Sequence, residues 1–212
     1  MKKYIVTCIL ILLVIPVFSQ QKEAKDILDK VSYSIQNSGS VRFGFDIDVL
    51  DQSQLVGNYQ GNINLKGNKF VLETEEVTTW FDGETQWTYN KDNNEVNISN
   101  PTEEEIQSIN PYALLSIYKN GYSYKLGNTK NFQGNAVTEI QLKSVNDTQD
   151  LDALNIYVNS KNYQLVYLEA KLKDGTHNKI TIKDYKNGLN YPDKDFIFDK
   201  AKYPNIEVID LR

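Results

Sequence analysis

The most constraining feature of this chain is a series of short alternating segments separated by turn residues, clearest in residues 69–98. There, large apolar or aromatic side chains occupy alternate positions, which is the period of a β-strand. The Asp82-Gly83 pair stands between two such segments and predicts a type I′ hairpin turn, whose two central residues need positive φ. Both tryptophans, Trp80 and Trp87, flank this turn. Similar turn signals recur along the chain and predict an antiparallel meander of about ten to eleven strands.

Two interruptions of the β pattern predict helices. Residues 23–36 repeat apolar side chains at three- and four-residue spacing, with Leu28 and Val31 among them, which is typical of an amphipathic helix. In the middle of the chain, Thr102 and Glu105 have the spacing of a capping box. A second short helix is expected to start at Pro111. We therefore expect one large antiparallel sheet, partly covered by an N-terminal helix and a short helical pair.

The first twenty residues have the anatomy of a secretory signal peptide. Lys2 and Lys3 precede an apolar run over residues 4–18, and Ser19-Gln20 ends it with small and polar side chains. This predicts a cleaved segment at residues 1–20, a single domain over residues 21–212, and a periplasmic location. Cys8, the only cysteine, lies within the apolar run, so the mature chain is expected to have neither disulfides nor thiol chemistry.

Charge excludes one class of partner. The sequence has 23 basic and 28 acidic side chains, and removal of Lys2 and Lys3 leaves 21 and 28, a formal charge of −7. A nucleic-acid partner would require a basic face, so none is expected. An acidic, dispersed protein suits the transport of something insoluble.

Four short motifs resemble those of the LolA-type periplasmic carriers of outer-membrane lipoproteins. They are Lys69-Phe70-x-Leu72, Asp82-Gly83-x-x-x-Trp87-x-Tyr89, Asn110-Pro111-Tyr112-Ala113-Leu114-Leu115 and Asp195-Phe196-Ile197-Phe198. The last is similar to the final F-x-F strand of that family. The resemblance implies an α+β fold that is mainly β: a single curved antiparallel half-barrel with an N-terminal helix and a helical lid inserted mid-chain.

The resemblance also implies an apolar cavity for acyl chains, closed by the lid. Strand aromatics usually pack into an ordinary core, so residue chemistry alone favours a filled interior. If the interior is hollow, the expected lining residues are Phe43, Phe45, Ile47, Ile63, Leu65, Phe70, Leu72, Trp80, Trp87 and Tyr89 from strands, and Leu28 and Val31 from the first helix. The lid residues facing them are expected to be Tyr112, Leu114 and Leu115. Which face of each strand lines the cavity is open, since a register shift of one residue inverts it.

Lys66 aligns with an arginine that holds the lid shut in that family. Lysine keeps the charge but lacks the planar fork of arginine, and a solvated hairpin lysine is an equally good interpretation of this position. Lys66 is therefore a candidate lid latch, meaning the side chain that keeps the empty cavity closed, and Lys66→Ala is expected to loosen the lid.

Three functions remain open from the sequence. The first is a periplasmic chaperone that accepts lipidated proteins from an inner-membrane exporter and passes them to an outer-membrane acceptor, acting as a monomer. The second is a lipid- or lipoprotein-sensing binding module of the same fold, and the third is a ligand-free structural β-protein. An enzyme is not expected, because no convincing acid, base or nucleophile stands out. No cofactor or metal is expected either.

Overall fold

The computed structural model describes residues 15–102, 105, 117–119, 121–146 and 150–212. Helix α1 covers Ile15–Asn37. The strands, in chain order, are β1 Ser40–Asp51, β2 Gln54–Lys66, β3 Lys69–Thr74, β4 Val77–Phe81, β5 Gln86–Asn90, β6 Glu95–Ser99, β7 Tyr122–Phe132, β8 Asn135–Ser144, β9 Leu151–Asn159, β10 Leu165–Leu172, β11 Thr176–Leu189 and β12 Glu207–Asp210. Short 3₁₀ turns occupy Ile117–Lys119, Asp193–Phe196 and Lys200–Lys202.

The strands described form one curved open sheet in the order β12-β6-β5-β4-β3-β2-β1-β11-β10-β9-β8-β7. Strands β1 to β6 pair consecutively as antiparallel hairpins, and so do β7 to β11. The pairing of β1 with β11 joins these two halves into one sheet. The predicted fold class is therefore confirmed. One strand was not foreseen: β12 pairs in parallel with β6 at the edge of the sheet.

Helix α1 forms because its apolar residues fall on one side. Ala24, Leu28, Val31 and Ile35 are each at most 1 % exposed, and their spacing places them on a single stripe. The helix begins at Ile15, earlier than the predicted start and within the segment assigned to targeting. None of the helices in the described ranges combines the length and the apolar character that a membrane span requires.

The core lies between α1 and one face of the sheet, which we call the inner face. It contains the buried α1 stripe together with Val41, Phe43, Ile63, Leu65 and Phe70 from the first strands and Ile140, Leu142, Leu154, Ile156 and Leu168 from the later ones. The opposite face is the outer face. Because side chains alternate along a strand, the register of each pair assigns every residue to one of these two faces.

Candidate functional site

The inner face brings together most of the residues predicted to line a cavity. Phe43 is paired with Ile63, and Leu65 is paired with Phe70, so these side chains project from the same side of the sheet. Leu28 and Val31 of α1 pack into the same cluster, and Leu72 packs against its margin. The first three strands and the helix thus build one continuous apolar surface.

This inner face changes from buried to open along β1. Phe43 is 5 % and Phe45 is 8 % exposed, whereas Ile47 is half-buried. Tyr59, the partner of Ile47 on β2, is 52 % exposed. The apolar surface therefore emerges from under α1 toward the β1–β2 turn, where it reaches solvent.

Sequence reasoning missed several members of this surface. On β11, Ile182 is paired with Phe45 and Ile180 with Ile47, and both pack against the core. Their alternating positions in the sequence were the available signal. The pairing of β1 with β11 joins distant parts of the chain, so only the fold places them beside Phe45 and Ile47.

Gly61 makes room for Phe45 on the inner face. A Cβ atom at Gly61 would lie 2.6 Å from the Phe45 ring and 2.3 Å from the Glu73 carbonyl oxygen. Any other residue there would collide with backbone as well as with the ring. A glycine inside a strand often marks such a close approach, and here it leaves room for the Phe45 ring beside β2.

Trp80, Trp87 and Tyr89 lie on the outer face, away from the rest of the predicted set. Phe81, next to Trp80, pairs with the inner-face residue Phe70, so Trp80 must point the other way. Trp87 is directly opposite Trp80 and shares its face. The predicted cavity set is thus divided between two faces of the sheet.

The outer-face aromatics are covered by the C-terminal segment. The Trp80 ring lies 5.5 Å from that of Phe198 and 5.9 Å from that of Tyr203, and the Tyr89 ring lies 5.0 Å from that of Tyr203. These edge-on geometries are favourable for aromatic pairs. The cluster joins the sheet to residues more than a hundred positions later in the chain.

The segment containing Phe196 and Phe198 is not a strand, contrary to the prediction from the family motif. Asp193–Phe196 form a 3₁₀ turn that begins after Pro192, and Phe196 is fully buried. Proline has no amide hydrogen to donate to a strand ladder. The segment instead crosses the outer face, and the last strand follows at Glu207–Asp210.

The turn after β4 also differs from the predicted type I′ hairpin. The strands close at the Phe81–Gln86 pair, which leaves a four-residue loop. Gly83 has φ +105, but Asp82 is outside the positive-φ region. The Asp82 carboxylate accepts hydrogen bonds from the amides of Glu84 and Thr85 at 3.0 and 2.8 Å. Aspartate therefore shapes this loop through its side chain.

Lys66 contacts the C-terminal segment. Its Nζ donates to the Tyr191 carbonyl oxygen at 2.8 Å and to Asp193 Oδ1 at 2.7 Å, and Lys69 donates to Asp193 Oδ2 at 2.8 Å. The two ammonium groups lower the pKa of Asp193 to about 2. These contacts fasten the segment to β2 and β3, while the role of Lys66 as a lid latch stays a prediction.

The lid residues Tyr112, Leu114 and Leu115 lie outside the described residues, but contacts on both sides of them are described. Thr102 N donates to Glu105 Oε2 at 2.8 Å, and Glu105 N donates to Thr102 Oγ1 at 3.3 Å. These are the reciprocal bonds of the predicted capping box.

Downstream of the lid residues, a hydrogen bond joins the chain to α1. The hydroxyl of Tyr118, which is only 3 % exposed, donates to Asp29 Oδ1 at 2.6 Å. Hydrogen bonds from Lys25 and Tyr118 hold the pKa of Asp29 below its usual value. The Ile117–Lys119 turn is thereby attached to the helix that covers the inner face.

The outer face of the later strands contains a buried carboxylate. Glu139 is 4 % exposed. Its carboxylate accepts a hydrogen bond from the Tyr157 hydroxyl at 3.0 Å and forms an ion pair with Lys130 Nζ at 3.4 Å. Burial opposes ionisation, but these contacts and a hydrogen bond from Gln141 keep the pKa of Glu139 below normal. Its contacts connect β8 to β9 through Tyr157 and to β7 through Lys130. The part of the chain described has no cluster of three or more His, Cys, Asp or Glu suited to a metal ion.

Comparisons with known proteins agree with this architecture. The family model described as "Outer membrane lipoprotein carrier protein LolA" matches residues 15–175. An uncharacterized conserved protein from Thermus thermophilus has a TM-score of 0.61 at 11 % identity, covering 89 % of this chain and 99 % of its own.

Two further solved structures are more distant. A LolA superfamily protein from Nitrosomonas europaea has a TM-score of 0.45 at 14 % identity, covering 83 % of this chain and 98 % of its own. The Mycobacterium tuberculosis lipoprotein LppX has a TM-score of 0.44 at 14 % identity, covering 79 % of this chain and 99 % of its own. No curated protein matches the chain.

Proposed function

Because this chain belongs to the outer membrane lipoprotein carrier protein LolA family, we propose that it carries lipoproteins across the periplasm by sheltering their acyl chains on its inner face. The observation that supports this most directly is the gradient along β1. Apolar side chains run without interruption from the fully buried core near Phe43 to the half-buried Ile47. An acyl chain laid against the open end of that surface would exchange water for hydrocarbon.

The energetic need for such a carrier is large. Each buried methylene stabilises by about 0.8 kcal/mol, so a chain of about fifteen carbons resists entry into water by roughly 12 kcal/mol. The carrier has to provide much of this burial and still release its load. The transfer breaks no covalent bond, so the proposed function needs no catalytic group and no cofactor.

The proposal extends to the route. LolA-family proteins are periplasmic, and the basic and apolar start of this chain acts in the proposal as the signal that takes it there. An inner-membrane lipoprotein exporter is the proposed donor, and an outer-membrane site is the proposed acceptor. In this proposal the lining consists of the inner-face residues Phe43, Phe45, Ile47, Ile63, Leu65, Phe70 and Leu72, with Leu28 and Val31 opposite and the lid residues Tyr112, Leu114 and Leu115 closing it.

A charge placed at the open end of the inner face tests this function. In Ile47→Asp, the carboxylate would lie where the acyl chain enters. A bound acyl chain would displace water from this carboxylate, which costs more than about 1.4 kcal/mol of binding free energy. The affinity for a fluorescent acyl probe is therefore expected to fall by about tenfold or more. The matched control is Val145→Asp, which makes a similar change at a side chain that is 62 % exposed just after β8.

Native mass spectrometry of the protein purified from its own periplasm identifies the cargo. A bound lipopeptide supports the proposed function, and a bound free lipid indicates a more general lipid shuttle. If Ile47→Asp and Val145→Asp bind the acyl probe as the unaltered protein does, and the purified protein has no bound lipid, the proposal is refuted.

A further inference from the structure

Strand β2 has a free edge over its first seven residues. It pairs with β1 from Gln54 to Lys66, but with β3 only from Gly61 onward. Within the described ranges, no strand lies beside residues 54–60 on the β3 side. This half of β2 is therefore an open sheet edge in the middle of the strand order.

The register shows which backbone groups are unpaired at this edge. Lys66 and Lys69 flank a two-residue turn, so Lys66 forms its ladder bonds toward β3. The register with β1 is regular from there back to the Gly57–Val49 pair. Alternation then turns the amide and carbonyl groups of Asn58 and the amide of Gln60 away from β1 and toward the open side, whereas the Gln60 carbonyl faces Glu75 at the end of the β2–β3 ladder.

The free edge lacks the features that usually protect such an edge. Charged side chains, especially lysine, and proline normally prevent another strand from adding to an exposed edge. Residues 54–60 contain neither. They do contain Leu55 and Val56, each 63 % exposed, and Tyr59, which is 52 % exposed. Three large apolar side chains thus accompany unpaired backbone groups.

An acidic depression lies at the end of the free edge, where β3 stops. It has a volume of about 480 Å³, and its charged lining consists of Asp46, Glu73, Glu75, Lys183 and Asp184. Lys183 is paired with Asp46. Glu75 and Asp184 have no ion pair within the part of the chain that is described, and only the 3.9 Å contact with Lys91 reaches Glu73. The depression therefore has excess negative charge.

From this juxtaposition we propose that residues 54–60 of β2 bind an extended, basic segment of a partner protein as an added strand. The backbone of the segment would pair with Asn58 and Gln60, apolar side chains would meet Leu55 and Tyr59, and a lysine or arginine would enter the depression beside Glu75. Strand addition draws affinity from main-chain hydrogen bonds and specificity from side-chain sites of this kind. Tyr59 also belongs to the open end of the inner face, so this edge lies directly beside the proposed acyl entrance.

Charge disfavours a second copy of this chain as the occupant. Two β2 edges in antiparallel pairing would place the Glu73–Glu75 end of each copy close to Asp51 in the exposed β1–β2 turn of the other. Facing carboxylates repel each other. A basic partner removes this repulsion.

The test uses a labelled peptide of alternating lysine and valine, with an otherwise identical peptide of glutamate and valine as its counterpart. Fluorescence anisotropy is expected to detect binding of the lysine peptide only. Glu75→Lys is expected to weaken that binding about fivefold, because it replaces an attraction with a repulsion. The matched control, Glu84→Lys, reverses a similarly exposed charge in the β4–β5 loop and is expected to have no effect.

Amide hydrogen exchange identifies the surface. The lysine peptide is expected to slow exchange at Asn58 and Gln60 and to leave the amides of β7 and β12, at the ends of the sheet, unchanged. Equal binding by Glu75→Lys and Glu84→Lys, or protection at the sheet ends instead, would overturn the proposal. So would concentration-dependent dimerisation of the protein alone that protects the same two amides.

Discussion

Replacing Trp80 by leucine is expected to lower stability without weakening acyl binding, because its ring lies on the outer face. Trp80 is 9 % exposed, and its ring centroid lies 5.5 and 5.9 Å from the ring centroids of Phe198 and Tyr203. Leucine keeps much of the apolar burial but loses both aromatic contacts. At about 0.5–1.5 kcal/mol for each aromatic pair, the loss is about 1–3 kcal/mol.

This loss is measurable by thermal and urea denaturation. For a domain of this size, Tm falls by about 2–4 °C for each kcal/mol, so a decrease of about 2–12 °C is expected. Trp87 remains as the fluorescence probe in Trp80→Leu, so unfolding is followed by its emission. Binding of the acyl probe is measured well below the transition, where both proteins are folded.

Ile47→Asp, on the inner face, provides the contrast to Trp80→Leu on the outer face. Trp80→Leu is expected to bind the acyl probe within twofold of the unaltered protein, whereas Ile47→Asp is expected to bind much more weakly. If Trp80→Leu weakened acyl binding severely while its Tm stayed unchanged, Trp80 would belong to the binding surface. The assignment of the two faces would then be wrong.

Two further predictions concern the attachments at the C-terminal segment and at α1. Asp193→Asn removes the carboxylate that pairs with Lys66 and Lys69, and the pKa of this carboxylate is about 2. The variant is expected to be less stable than the unaltered protein at neutral pH, and this difference in stability is expected to shrink as pH falls from about 4 toward 2. Urea denaturation across that pH range measures it. Tyr118→Phe removes the hydroxyl that donates to Asp29. The pKa of Asp29, measured by NMR titration, is expected to rise toward its usual value. The free energy of unfolding at pH 7 is expected to fall by about 1 kcal/mol.

The loss of stability in Asp193→Asn at neutral pH follows from the linkage between protonation and folding. A carboxyl whose pKa is lower in the folded state stabilises the protein above its unfolded pKa, and this contribution disappears once it is protonated in both states. Asp195→Asn is the control, since it changes a neighbouring carboxylate in the same 3₁₀ turn. A difference between Asp193→Asn and the unaltered protein that stayed undiminished from pH 4 to pH 2 would contradict the account. For Tyr118→Phe, an unchanged pKa of Asp29 would contradict it.

The fold could be predicted largely because its signals are local. A few consecutive residues specify the alternation along β1 and the two-residue turns after Asp51 and Lys66. The structure has strands and turns at these positions. The capping box of Thr102 and Glu105 is equally local, and its two hydrogen bonds are present. The spacing of Leu28 and Val31 likewise identified the buried stripe of α1.

The candidate site was predicted less completely because faces and partners depend on distant pairing. Trp80 and Phe70 look equivalent in the sequence, yet the register of β3 with β4 sends them to opposite faces. Ile180 reaches the inner face only through the pairing of β11 with β1. Phe198 was expected in a strand, but it packs on Trp80 as part of a segment that crosses the outer face.

By itself, the sequence determined that this chain forms an antiparallel meander with an amphipathic N-terminal helix, because period and turn chemistry act over a few residues. Only the tertiary structure decided which apolar side chains face α1, which are covered by the C-terminal segment, and where β2 keeps an open edge. The physical reason is that alternation defines two faces for every strand, while long-range pairing and burial select which face becomes the interior.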